Sequence, residues 1–263
     1  MSSNGAAPFR LDGKTAVVTG GGSGIGRAIA NRFAEQGAAV FILDVNRGAG
    51  EEVAREVAAK QGRAKAIACD ISDQQQAKAA FDEIAREGPI QILVNNAGIS
   101  QIGSLEKTAE SDFDRIFRVN VKGMYNCMLA CAERMKAHGG VILNMASIAG
   151  SAGLADRFAY SMSKGAVIAM TYSVARDYLA YKIRCNCISP ARVHTPFVDD
   201  YLRKNYPGHE REMFEKLSQA QPIGRMAQPS EVADFALFLC SDQAAFITGV
   251  DYPIDGGFTN LHG

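Results

Sequence analysis

A chain of 263 residues, 47% hydrophobic and 21% charged, has the balance of an ordinary globular protein with apolar material for a large core. Its formal net charge is zero and its pI is near 6.9, which argues against nucleic acid or an anionic membrane surface as a partner, since both draw a basic excess. No stretch approaches 18 uncharged apolar residues, so no spanning helix is expected.

Residues 1–10 lack the basic region and apolar run of a signal peptide and read as a short disordered lead-in. Apolar runs then alternate with helical patterns. Residues 14–19 read as a strand and 25–36 as a helix ended by Gly37. Strand 39–44 precedes a helix over 50–61 ended by Gly62, and strand 64–69 a helix over 73–86. Residues 91–94 form a fourth strand, and a long helical pattern runs from 111 to about 136. Strand 141–145, a helix over 158–180, strand 183–188, a helix over 229–240 and strand 250–254 complete the chain. Such alternation implies βαβ units in a doubly wound, seven-stranded parallel sheet with helices on both faces, an α/β fold of one domain. Its strands are expected to be apolar on both sides. The segment 190–228 is proline-rich and too long for an ordinary connection, which suggests a lid over a substrate.

The six cysteines, Cys69, Cys127, Cys131, Cys185, Cys187 and Cys240, lie in apolar segments without metal-ligand spacing. Buried thiols of a reducing, cytoplasmic protein without a metal site are expected.

The first strand runs into Thr19-Gly20-Gly21-Gly22-Ser23-Gly24-Ile25-Gly26. Glycines between a strand and a helix allow a tight turn, close backbone approach to a pyrophosphate, and helix–strand contact. The helix that follows points its amides at the anion. Gly20, Ser23, Gly24, Ile25 and Gly26 are therefore candidate dinucleotide contacts. Asp44, 18 residues after Gly26, ends the second strand. A carboxylate there accepts hydrogen bonds from ribose hydroxyls and repels a 2′-phosphate, favouring NAD over NADP. Arg47 argues the other way, and a helix N-cap is the plainer use for Asp44.

The spacing GxxxGxG, with Asn95-Asn96-Ala97-Gly98 after the fourth strand, resembles the short-chain dehydrogenase/reductase family over nearly the whole chain, residues 14–257. The resemblance implies that Asn96, Ala97 and Gly98 line the adenine and ribose channel and that Asp70 and Ile71 contact the adenine. A turn that steadies the central sheet would also explain the asparagines.

Tyr160 and Lys164 stand four apart and share a helix face. With Ser147 upstream and Asn120 in the preceding helix, they match the family's Asn-Ser-Tyr-Lys tetrad. The resemblance implies a hydride transfer between a nicotinamide and a secondary alcohol or ketone, with Tyr160 as acid/base and Ser147 on the substrate oxygen. It also implies Asn120 on a water path and Lys164 on the nicotinamide ribose. A free phenol has a pKa of about 10, so the Lys164 ammonium is expected to lower that of Tyr160.

In Ser189-Pro190-Ala191-Arg192-Val193-His194-Thr195-Pro196, Val193 and Thr195 match the family's nicotinamide carboxamide contacts, with Ala191 in place of the usual glycine. Arg157 and Arg192 fall where the family borders its substrate. Two guanidinium groups suit a carboxylate; pairing of either with a structural acid or a neighbouring subunit is the alternative expectation. The segment resembles sugar and sugar-acid dehydrogenases of the family. A 3-oxoacyl or hydroxysteroid reductase, and a non-catalytic NAD(H)-binding sensor, are the competing expectations. The family also implies a homotetramer.

Overall fold

The computed structural model describes residues 9–261. One sheet holds β1 (Thr15–Thr19), β2 (Ala39–Asp44), β3 (Arg63–Ala68), β4 (Ile92–Asn95), β5 (Gly140–Met145), β6 (Ile183–Pro190) and β7 (Asp251–Ile254). All neighbours are parallel, in the order β3-β2-β1-β4-β5-β6-β7. Val17 pairs with Phe41 on one side and Leu93 on the other. The strand order reverses at β1, which opens a crevice beyond the carboxyl ends of β1 and β4.

Alternation along the strands builds two cores. Ala16 and Val18 of β1 pack with Ile29 and Phe33 of α1 (Gly24–Glu35), Val53 of α2 (Arg47–Ala59) and Val232 of α9 (Pro229–Cys240). Val17 faces the other layer, with Phe81 of α3 (Gln74–Ala85), Cys127 of α5 (Met124–Met135) and Val167 of α6 (Phe158–Asp177). Phe33 and Phe81 are fully buried, each contributing roughly 1.5–3 kcal/mol of transfer free energy.

Several expectations are corrected. The strands are not all buried on both faces. β3 alternates exposed and half-buried residues and β7 has none fully buried, because both are edge strands. α2 starts at residue 47 rather than 50 because the Asn46 side chain caps it, accepting from the Ala49 N–H at 3.1 Å. The long helix is composite: α4 (Glu110–Ile116), a π-helical stretch Phe117–Gly123, then α5. The helix from Phe158 ends at Asp177, three residues early, and a 3₁₀ turn follows. The lead-in up to residue 8 lies outside the described residues. Phe9 meets Phe238 edge-on at 5.8 Å and Leu11 is buried, so the chain is anchored from residue 9.

Residues 190–228 contain two helices, α7 (Pro196–Asn205) and α8 (Glu210–Gln219). Thr195 precedes α7 in extended conformation, and Pro196 occupies its first turn, where a missing N–H costs nothing. The two ends of the excursion are fastened together at its base. His194 N–H donates to Ala227 C=O at 2.8 Å, and Ala227 N–H to Arg192 C=O at 2.9 Å. Among the described residues no helix is long and apolar enough to cross a membrane.

Candidate active site

The first turn of α1, the loop after β4 and the carboxyl ends of β5 and β6, with α7, α8 and the chain after it, surround a cavity of about 350 Å³. Ile25, Asn96, Gly98, Ser147, Arg157, Tyr160, Lys164, Arg192, Val193 and Thr195 line it. Ten of the residues singled out from sequence thus meet in one space. Apolar side chains including Ile99, Leu154, Phe197, Met226 and Phe258 complete the wall.

The glycine turn has little room for side chains. Gly20 and Gly24 adopt φ of +63° and +52°, and a Cβ on Gly26 would stand 2.1 Å from the Gly20 carbonyl oxygen. Gly24 also faces Thr195, whose Cγ2 would be 3.4 Å from an added Cβ. Ser23 precedes α1 in extended conformation, with its side chain uncommitted to a cap. The Asp44 carboxylate accepts from Gly22 N–H and Asn46 N–H, both at 2.9 Å, one per oxygen. Lone pairs remain on both oxygens for further donors. Asp44 is therefore not the cap of α2. Arg47 lies on α2 and pairs with Glu51 at 2.7 Å. A close-approach turn beside a half-buried carboxylate fits a dinucleotide whose ribose hydroxyls reach that acid.

The turn after β4 is tied to β1. The buried Thr19 hydroxyl accepts from Asn96 and Ala97 N–H, each at 3.0 Å. Asn96 Nδ2 donates to the carbonyls of Thr19 and Gly20. Asn95 Nδ2 donates to Asn144 on β5, which donates on to Thr171 of α6. The asparagines therefore do steady the sheet. Asp70 and Ile71 sit outside the cavity wall. Ile71 is buried and accepts from Asn126, and its side chain fills the space that a Cβ on Gly123 would need. Asp70 is exposed and accepts from Ser72 N–H.

Tyr160 and Lys164 project from one face of α6. Lys164 Nζ stands 5.7 Å from the centroid of the Tyr160 ring and donates to the Met145 carbonyl at 2.7 Å. Burial pushes the Lys164 pKa down to about 8, which leaves it mainly charged at neutral pH. Burial pushes the Tyr160 phenol up; a hydrogen bond with Ser147 and the charge of Arg157 pull it partly back. Desolvation thus outweighs the lowering by Ser147 and Arg157, and the lowering expected from the Lys164 ammonium is not among the effects on the phenol. Asn120 lies in the π-helical stretch, 1% exposed. Its amide bonds Ile99 N–H at 2.8 Å, Ile99 C=O at 2.9 Å and Ser163 Oγ at 3.0 Å. It anchors the loop after β4 to α6, and its side chain does not line the cavity.

Arg157 donates to Ser100 Oγ at 3.1 Å. Among the described residues neither Arg157 nor Arg192 has a carboxylate partner within the chain. Burial lowers the Arg192 pKa, and the like charge of Arg157 lowers it further, so two cations share one cavity without a counter-ion.

Thr19, Ser100 and Gln221 were not anticipated. Thr19 had a weak signal, as the polar end of an apolar strand before the glycines; the other two had none. All six cysteines are buried free thiols, and burial raises that of Cys69 to about 11.

Residues 20–259 match the family model described as Enoyl-(Acyl carrier protein) reductase. D-threitol dehydrogenase of Mycolicibacterium smegmatis is 39% identical over 253 residues, 95% of each chain. The structure of a 7α-hydroxysteroid dehydrogenase complexed with NADH and 7-oxo glycochenodeoxycholic acid superposes with a TM-score of 0.87 at 35% identity, covering 95% of both chains. L-sorbose reductase from Gluconobacter frateurii, complexed with NADPH and L-sorbose, gives a TM-score of 0.92 at 29% identity, covering 97% of this chain and 100% of that one.

Proposed function

The chain belongs to the short-chain dehydrogenase/reductase family of oxidoreductases, and from that premise we propose that it interconverts a secondary alcohol and a ketone on a sugar or sugar acid, using NAD(H). The observation that carries the reading is the convergence of Ser147, Tyr160 and Lys164 on one cavity beside the glycine turn.

A bound nicotinamide dinucleotide supplies or accepts the hydride; positioning and proton handling fall to the chain. Gly20, Ser23, Gly24, Ile25 and Gly26 hold the phosphates, and Asp44 holds the adenosine ribose. Asn96, Ala97 and Gly98 flank it, with Asp70 and Ile71 at the adenine end. Val193 and Thr195 meet the carboxamide. Ser147 donates to the reacting oxygen. Tyr160 Oη protonates that oxygen during reduction and takes the proton back during oxidation. Lys164 holds a positive charge near the phenol and binds the nicotinamide ribose, and Asn120 keeps the wall in place between them. Negative charge on Asp44, with Arg47 engaged by Glu51, favours NAD over NADP. Arg157 and Arg192 bind a substrate carboxylate, and α7 and α8 close over it.

Phe117, Tyr125 and Leu129 along the α4–α5 helix and Tyr172 on α6 are exposed. These faces suit the interfaces of a homotetramer. Free buried thiols suit a reducing cytoplasm.

The apolar wall favours one further reading, a hydroxysteroid or 3-oxoacyl reductase. A nicotinamide-linked absorbance screen over polyols, sugar acids, 3-hydroxy acids and steroids tests both. Turnover of polyols or sugar acids with NAD is expected. Turnover confined to steroids or acyl thioesters would replace the reading, and tight NADH binding with no turnover would make the chain a sensor.

A further inference from the structure

Gln221 stands in the segment that returns from α8 towards the base of the roof. It is 3% exposed and lines the cavity. Neither Oε1 nor Nε2 has a hydrogen-bond partner. The backbone of Gln221 is already satisfied: its N–H donates to Ser218 C=O at 3.1 Å and its C=O accepts from Gly224 N–H at 2.7 Å. Ile223 N–H then donates to Gly256 C=O at 3.1 Å, fixing the segment to the chain after β7. The backbone is thus held in place, while the side chain contributes no hydrogen bond to the fold.

A buried amide with both ends unpaired destabilises a protein, whereas an apolar side chain of the same shape would not. Gln101 makes the contrast. It is also buried, but its Nε2 bonds the Ile102 carbonyl at 2.9 Å, leaving only the oxygen unpaired. Gln221 keeps both a donor and an acceptor unspent in the cavity wall, sealed from solvent until a turn of the side chain brings them to a substrate. A group that both donates and accepts is its complement, and in an alcohol or ketone substrate that group is a second hydroxyl.

We infer that Gln221 is a specificity-determining residue that reads a non-reacting hydroxyl of a polyhydroxylated substrate. The inference rests on the oxidoreductase reading above and narrows its substrate class. A steroid edge or acyl chain would leave the amide unpaired in the complex, and sites built to bond a hydroxyl reject analogues that lack it by large factors.

The test compares D-threitol, threonate and gluconate with their singly deoxygenated analogues. For the polyol turned over best, the wild-type enzyme should lose at least tenfold in kcat/KM when one particular non-reacting hydroxyl is removed. In Gln221→Met that ratio should collapse to within threefold, mainly through a higher KM for the parent polyol. Gln221→Leu, which likewise has neither donor nor acceptor, serves as the second variant if Gln221→Met does not fold. A wild-type enzyme indifferent to every such hydroxyl overturns the inference without either variant, and so does a folded variant that keeps the ratio. Turnover of simple alcohols or steroids but of none of the three polyols overturns it while leaving the role of Tyr160 intact. No turnover of any alcohol, despite NADH binding, overturns both.

Discussion

Lys164 Nζ lies 5.7 Å from the centroid of the Tyr160 ring and gives its hydrogen bond to the Met145 carbonyl. The ammonium is thus held beside the phenol by the end of β5 rather than by an acid. An acid partner would have raised the lysine pKa; a carbonyl in a buried site leaves it depressed, at about 8.

That depression makes stability depend on pH. Between pH 8 and the usual 10.5, the folded protein has released the Lys164 proton while the unfolded chain keeps it. The unfolded state then binds more protons, so this group stabilises the fold as pH rises through the window. The full gap corresponds to about 3 kcal/mol. Urea denaturation of the ligand-free protein and of Lys164→Met, from pH 7 to 10, measures it. The stability of wild type relative to the variant should grow with pH, and a constant difference would refute the assignment.

Tyr160→Phe removes the only proposed proton donor to the reacting oxygen and keeps the ring. kcat should fall to less than a few per cent of wild type, while NADH affinity, measured by fluorescence titration, should stay within about threefold. Retention of a larger share of kcat would remove Tyr160 from its role. Arg157→Gln should raise the apparent pKa of alcohol oxidation, because the Arg157 charge lowers the phenol pKa. A pH–rate profile that does not move would show that this charge is screened in the working complex.

Asp44 accepts from the Gly22 and Asn46 amides at 2.9 Å. Asp44→Asn deletes the charge and keeps one of the two acceptor oxygens, so the turn should lose one of its two bonds to the Gly22 and Asn46 amides and keep the other. The loss of a charge-assisted bond to ribose and of repulsion towards a 2′-phosphate should shift the NADH-to-NADPH affinity ratio by about tenfold towards NADPH. Isothermal titration with both cofactors decides it. Tighter binding of NADPH than of NADH by the wild-type protein would overturn the assignment from the start.

The sheet was legible because seven apolar runs of strand length sit between capped or glycine-ended helices; each observed strand end lies within two residues of its expected place. The grouping of Ser147, Tyr160 and Lys164 was legible through the family spacing. Other features leave no linear trace. A π-helical stretch such as Phe117–Gly123 changes which carbonyl each amide meets, not which residues are apolar. The isolation of Gln221 is a property of its surroundings, invisible in a proline-rich segment without periodicity. The raised phenol pKa of Tyr160 depends on burial, which residue type and spacing do not report.

Among the described residues Arg157 and Arg192 share the cavity without a carboxylate, and the like charge of Arg157 disfavours that of Arg192. A substrate carboxylate bridging them would relieve that repulsion and gain charge-assisted hydrogen bonds, which contribute roughly 1.5–3 kcal/mol each. Arg192→Ala should therefore raise KM for an acidic substrate by about tenfold or more and leave KM for a neutral polyol nearly unchanged. Arg157→Ala should do the same but also lower kcat, through its effect on Tyr160. The salt dependence of KM offers a control that needs no variant: KM for the acid should rise with ionic strength and that for the polyol should not. Equal effects on acidic and neutral substrates would mean that the two arginines serve the fold or a neighbouring subunit instead.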